Sequence, residues 1–333
     1  MLKSIFISVL SLIFLTAVFT GASVIWMKGE FDAPGPLNAK KTIEVERGDT
    51  LKEIARKLEQ ENVISHSWVF EINARFNGKA KSIQAGEYGF RPDISMNEIL
   101  QKLQKGDVVY HQITIPEGLT NYQIRQILKA EPLLKGDIET MPPEGFLLPE
   151  TYSFRKGLPR QDLIDRMHAA KKDFLDQAWK NKKQDLPVKS PEEAVILASI
   201  VEKETGVADE RAKVAGVFIN RLKTGMRLQS DPTVIYALTA GVPEQEGKGP
   251  LGRRLLRKDL KFDSPYNTYV YSGLPPGPIA NPGRESIRAV LMPEDHKYFY
   301  FVADGTGGHF FSKTLKQHNI NVQKWRRIRD GLD

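Results

Sequence analysis

Ser190-Pro191-Glu192-Glu193-Ala194-Val195-Ile196-Leu197-Ala198-Ser199-Ile200-Val201-Glu202-Lys203-Glu204-Thr205-Gly206 is the stretch from which this chain is best read. Ser190 with Glu193 three residues on makes a capping box, and Pro191 falls at the first helical position, where its missing N–H is no loss. From Ala194 to Val201 the residues are apolar or small on every side, so the pattern predicts a helix buried all round. Two glutamates, Thr205 and a glycine suited to the C-cap close it. Glu204 follows Leu197, Ile200 and Val201 by seven, four and three residues, which sets it on their apolar face. Glu202 falls over Ala198 and Ser199 instead. A carboxylate at the negative end of a helix, backed by hydrocarbon, has two reasons for a raised pKa, and a raised pKa is what a general acid needs at neutral pH. The plainer reading makes both glutamates solvated charges on the last turn of a core helix.

The surrounding sequence bears on that choice. Upstream stands Glu144-Gly145-Phe146-Leu147-Leu148-Pro149-Glu150-Thr151-Tyr152. Downstream come Asp209 to Met226, then Arg227-Leu228-Gln229-Ser230-Asp231-Pro232-Thr233-Val234-Ile235-Tyr236 and Tyr266-Asn267-Thr268-Tyr269. Gly273-Leu274-Pro275-Pro276-Gly277-Pro278-Ile279 and Tyr300-Phe301-Val302-Ala303-Asp304-Gly305 complete the series. Read in order, it resembles the endolytic murein transglycosylases, the MltG or YceG-like family, from about Glu144 to Asn319.

The resemblance implies a bacterial enzyme that cuts peptidoglycan strands at the bond between N-acetylmuramic acid and N-acetylglucosamine. Such lyases use one glutamate, first as acid to the glycosidic oxygen and then as base to the C6 hydroxyl of N-acetylmuramic acid. The sugar's own hydroxyl replaces water, leaving a 1,6-anhydro end. By its place in the family motif Glu204 is that residue, in agreement with the helical-face argument. Glu202, Gln229, Asp231, Tyr236, Asn267 and Tyr269 are candidates for holding the glycan, being polar or aromatic residues in loop-rich motifs. Each has a structural alternative: Asp231 before Pro232 suits a turn or cap, and Tyr236 suits a core. The Pro/Gly-rich run Gly273 to Gly283 suits a shaped wall or lid.

Charge and composition narrow the classes. Net charge is +7 over 333 residues, with no helix-turn-helix, zinc-finger or aromatic RNA-binding pattern, so the partners expected are an anionic membrane surface or an acidic polymer rather than nucleic acid. No cysteine is present, which excludes disulfides, thiolate metal sites and cysteine nucleophiles. The six histidines lack metal-ligand spacing, and no cofactor is expected; His309 could face a site or serve structure. No Gly-x-Ser-x-Gly nucleophile motif occurs.

From Ser4 to Met27 no residue is charged, enough for one membrane-spanning helix of about 20 residues. Lys3 weakly favours a cytoplasmic N-terminus and an exported body in the bacterial inner membrane, with Lys28 arguing slightly the other way. A cleaved signal peptide with Thr20-Gly21-Ala22 near the cut is the alternative, but the run exceeds the usual h-region of about 7–15 residues. The expected organisation is 1–27 cytoplasmic tip and span, 28–40 linker, 41–110 small module, and 111–333 transglycosylase domain.

In the small module, Ile43 and Val45 alternate as a strand, Gly48 turns, and Thr50 with Glu53 caps a helix carrying Ile54, Ala55 and Leu58. Ile43 to Ala55 resembles a LysM module, a carbohydrate-binding fold; scaffold and glycan binder are both open to it. The unit is echoed 70 residues on by Ile113-Thr114-Ile115, Gly118 and the pair Thr120 and Gln123, with Ile124 and Leu128 matching Ile54 and Leu58. Ser95 and Glu98 cap a further helix ending at Gly106, and Pro159 to Asp176 is helical in pattern. Tyr298 to Val302 and His309 to Phe311 flank a glycine turn as a hairpin, and Gln323 to Arg329 reads as a basic surface helix. The fold class is α+β. Two other functions remain open: a muramidase-like hydrolase with Asp231 as second carboxylate, and a non-catalytic glycan-binding scaffold that meets cell-wall synthases.

Overall fold

The computed structural model describes residues 2–76, 82–239 and 251–331, and the chain divides into two compact units. The first comprises residues 1–111 with 153–156, and the second 112–152 with 157–333. Both mix helices with short two-stranded sheets, so the class is α+β.

The first unit contains α1 (Leu2–Asp32), β1 (Lys41–Val45), α2 (Leu51–Gln60), α3 (Ser67–Phe76), β2 (Gly86–Phe90) and α4 (Met96–Lys105). Within α1, Phe6–Asp32 is long and apolar enough to cross a membrane, with a hydropathy of 2.1. β1 and β2 are antiparallel with Ile43 opposite Tyr88, and their alternate residues Ile43, Val45, Tyr88 and Phe90 enter the core beside Ile54 and Leu58. The capping boxes Thr50/Glu53 and Ser95/Glu98 both form, and α4 stops at Gly106 in the left-handed conformation, φ 64°. At residues 28–40, where the sequence suggests a spacer, the helix instead continues to Asp32, because no proline interrupts it before Pro34. Phe31 and Leu37 are then buried in the module's core.

β3 (His111–Thr114) and β4 (Thr151–Phe154) form a further two-stranded sheet. The echoed turn and helix appear as read: Gly118 has φ 75°, Thr120 and Gln123 form a capping box, and α5 (Asn121–Ala130) buries Ile124 and Leu128. Then follow α6 (Arg160–Lys180), α7 (Pro191–Glu204), α8 (Arg211–Lys223), α9 (Asp231–Thr239) and α10 (Arg284–Leu291). α7 packs against α8 and α10, and Ala194, Val195, Leu197, Ala198, Ser199, Ile200 and Val201 are all buried. Its ends differ from the expectation in two respects. Ser190 Oγ accepts the Glu193 N–H at 3.2 Å, but Glu193 reaches back to the Lys189 N–H, so the box is half formed. At the other end Thr205 is the C-cap in extended conformation, and its hydroxyl accepts the Val207 N–H at 3.0 Å. The side chain closes the turn, so Gly206 has no left-handed work to do.

β5 (Tyr300–Ala303) and β6 (His309–Ser312) form the antiparallel hairpin, with Asp304 Oδ1 accepting the N–H groups of Thr306 and Gly308 at its tip. The terminal helix α11 (Leu315–Arg329) starts eight residues before its basic run and buries none of its side chains.

Gly145 combines a left-handed backbone with a tight core contact. Gly145 has φ 87°, and a Cβ there would stand 2.5 Å from Pro278 Cβ and 3.1 Å from Val195 Cγ1. Gly145→Ala adds a left-handed strain to a core clash and should cost about 1–3 kcal/mol in urea unfolding of the full chain in detergent. An unchanged midpoint would show that the 144–147 turn is not held where the structure has it.

Candidate active site

Glu204 ends α7, and its position follows from how that helix is buried. Ile200 and Val201 are fully covered, so the side chain one turn on is carried against the core while part of it stays open. Glu204 Oε1 accepts the Ser230 hydroxyl at 2.5 Å. Ser230 is itself locked: its N–H donates to Thr268 Oγ1 at 3.0 Å, and its carbonyl accepts the Thr233 hydroxyl at 2.7 Å. Loss of hydration drives the Glu204 pKa up from 4.5 to about 7. The Ser230 hydrogen bond pulls it back, the Asp231 charge pushes it up, and His309 and Arg221 pull it down. A carboxyl poised near neutrality can give a proton and take one back, as acid–base catalysis by a single residue requires.

The other residues marked in the sequence separate into two groups. Asp231 opens α9 next to Ser230 and accepts the Tyr269 hydroxyl at 2.7 Å, so these two lie together by Glu204. Gln229, exposed and at φ 50°, is pinned through its N–H to Thr268 O. Tyr236 leans on Tyr266 with ring centroids 4.9 Å apart. Asn267 is different: it is fully buried, and its amide is spent on Leu260 O, Phe262 O and the Tyr269 N–H. Glu202, half-buried like Glu204, accepts the N–H of Gly283, the N-cap of α10, at 2.9 Å. The Asn267 amide thus holds its own loop, and the Glu202 carboxylate meets the start of α10. A cavity of about 240 Å³ between α8 and α10, lined by Ala208, Arg211, Arg288 and Met292, does not include Glu204. Among the described residues no cluster of His, Asp and Glu could hold a metal ion.

Residues 43–324 match the YceG-like family. The chain belongs to that family. It is 34% identical over 315 residues to an endolytic murein transglycosylase of Bacillus subtilis, covering 85% of this chain and 84% of that one. A protein of the same name from Streptococcus pneumoniae is 30% identical over 343 residues, 87% of this chain and 59% of the streptococcal one. The crystal structure of a YceG-like protein from Listeria monocytogenes superposes with a TM-score of 0.50 at 34% identity, covering 84% of this chain and 98% of that chain.

Several residues around the site of this YceG-like chain are visible only in three dimensions. Asn281 is fully buried; its Oδ1 accepts the Leu147 N–H, and its Nδ2 donates to Leu119 O, Asn121 Oδ1 and Glu144 Oε1. It ties the turn before α5 to the 144–147 turn. Burial raises Glu144 to about 7 against the pull of its hydrogen bonds, so a second carboxyl titrates near neutrality. Lys171 is fully buried with Nζ on Pro282 O at 2.5 Å, and burial lowers its pKa to about 7. His309 Nδ1 pairs with Glu210 Oε2 at 2.7 Å. Arg221 donates to Phe299 O and Leu228 O, holding a cation beside Glu204. Apart from Arg221 and Leu228, seven residues apart, these pairs join segments far apart in the chain, so no spacing in the sequence announces them.

Proposed function

We propose that this chain is an endolytic murein transglycosylase in which Glu204 is both acid and base. The observation that carries the proposal is the half-buried carboxyl of Glu204, bonded to Ser230 and poised at about 7. Protonated, it gives its proton to the glycosidic oxygen as the bond to C1 of N-acetylmuramic acid breaks. As carboxylate, it then takes the proton of the C6 hydroxyl while O6 closes on C1. The products are a 1,6-anhydro end and a new sugar hydroxyl, with no water consumed. Asp231 and Tyr269, with Gln229 next to Ser230, are the side chains beside Glu204 suited to hold the glycan, and Tyr236 would serve it from the neighbourhood of Tyr266 and Glu144. The names of the bacillary and streptococcal relatives support the murein substrate.

Asp231 favours a second reading, since a carboxylate beside Glu204 could activate water as in two-carboxylate hydrolases. The full chain in detergent, incubated with uncrosslinked glycan strands, should yield ends that mass spectrometry finds lacking one water. Hydrated reducing ends would overturn the lyase in favour of the hydrolase, and intact strands would leave a glycan-binding scaffold.

Within this proposal α1 is a single uncleaved span, roughly Ile5 to Met27, with the N-terminus in the cytoplasm and the body outside it. Its support is the unbroken apolar run of a helix with Lys3 ahead of it. Cell-wall synthases are the partners such a placement would bring within reach. The LysM-like character of the β1–β2 module also belongs here, as scaffold or as glycan binder, and rests on the strand, turn and capped helix from Ile43 to Ala55.

A further inference from the structure

Two tryptophans from distant parts of the first unit meet at the end of the apolar helix. Trp26, in the last turns of α1, stacks on Trp68 of α3 with centroids 5.8 Å apart and planes 22° apart. His66 lies 6.0 Å from the first ring and 6.3 Å from the second. The stack covers neither: Trp26 remains 50% exposed and Trp68 46%. Packing alone does not account for two large rings left half open together on a folded module.

We propose that Trp26 and Trp68 form a seat for the headgroup–acyl boundary of the bilayer leaflet on the body's side, holding the β1–β2 module against the lipid at a fixed height. The proposal rests on reading α1 as a membrane span. A hydrocarbon core of about 30 Å takes about 20 helical residues. Counted from Phe6, that length brings the far boundary to Trp26. A ring stacked on Trp26 lies at the same depth, so Trp68 is carried to the interface by the fold. Tryptophan suits that depth because its broad apolar body and single N–H are served at once by acyl chain and wet headgroup.

Height is fixed because nothing between span and module can hinge. α1 runs unbroken to Asp32, Phe31 is buried in the module's core, and Asp32 Oδ1 accepts the Asn97 amide at 2.9 Å. Glu30 Oε1 lies 4.0 Å from His66 Nε2. To lift Trp68 off the interface, the helix would have to break or the core would have to open.

Brominated lipids test this in the full chain, reconstituted in bilayer nanodiscs. The sequence has four tryptophans, so Trp26→Phe with Trp179→Phe and Trp325→Phe leaves Trp68 as sole emitter while keeping an aromatic ring under it. Bromines near the headgroup end of the acyl chains should at least halve its emission, and bromines deeper in the chains should quench it less. A second protein, with all four tryptophans changed to Phe and Phe14→Trp added, reports on the span itself and should be quenched most by the deep bromines. If that reporter is quenched while Trp68 emits unchanged, the seat is overturned and the anchor stands. If neither responds, the anchor falls and the seat with it. Trp68→Phe in the otherwise native chain gives an independent reading: it should remove part of the shallow-quenched emission, and an unchanged quenched component would also overturn the seat.

Discussion

Glu204→Gln is expected to lower the rate of anhydro-end formation at least about a hundredfold, the low end of what a general acid contributes. The side chain keeps its shape, and its amide oxygen can still accept the Ser230 hydroxyl, so the fold should survive. What is lost is a proton that can leave and return. The loss should fall on kcat rather than KM, because only the transition state feels the proton transfer. Glu202→Gln is the informative comparison, two residues away on the same helix. Its carboxylate faces Gly283 at the start of α10, where an amide oxygen can also accept the N–H. Weakening one such bond costs about 1 kcal/mol of stability and should touch turnover far less. Equal losses of turnover for the two variants, or a larger one at Glu202, would place the chemistry on the wrong face of α7.

That the glutamates could be told apart before any coordinates shows which information is local. Helical periodicity sets Glu204 on the face of Ile200 and Val201, which the structure buries fully while Glu204 stays partly open. The capping pairs Thr50/Glu53, Ser95/Glu98 and Thr120/Gln123 all form for the same reason, since each spans three residues of one backbone. The hairpin around Asp304 is written in two aromatic runs on either side of a glycine-rich turn. By contrast Ser230, the residue that grips Glu204, stands 26 positions away, and Asn281 stands 137 from Glu144. Such partners are chosen by packing, and an asparagine in a Pro/Gly-rich run looks like loop until its amide is found spent on four partners. Asn267 reads as a sugar ligand because it is polar in a loop-rich motif, and only the structure shows its amide engaged by its own loop. The residues after the span were legible as polar and proline-bearing, but the burial of Phe31 and Leu37 depends on helices that come later in the chain.

Activity on glycan strands is expected to fall as pH rises through about 7, the value to which burial lifts Glu204 from 4.5. The sign follows from the order of steps: the residue acts first as acid, so the protonated form is the competent one, and raising pH removes it. Two neighbours move this limb in opposite directions. Asp231→Asn deletes a negative charge that disfavours the anion, so the pKa drops and activity is lost at lower pH. Ser230→Ala deletes the hydrogen bond that favours the anion, so the pKa climbs and activity persists to higher pH. Glu144 titrates in the same range, which makes Glu144→Gln the control: the limb should stay in place. Stability carries the same proton. Between 4.5 and about 7 the folded protein holds a proton that the unfolded chain has released, so this group's contribution is full below 4.5 and declines as pH rises through about 7. In Glu204→Gln the decline in the pH dependence of unfolding should shrink by this group's share, leaving that of Glu144. A limb found at the free-carboxyl value, or one that Asp231→Asn and Ser230→Ala displace the same way, would show that some group other than a desolvated Glu204 supplies the proton.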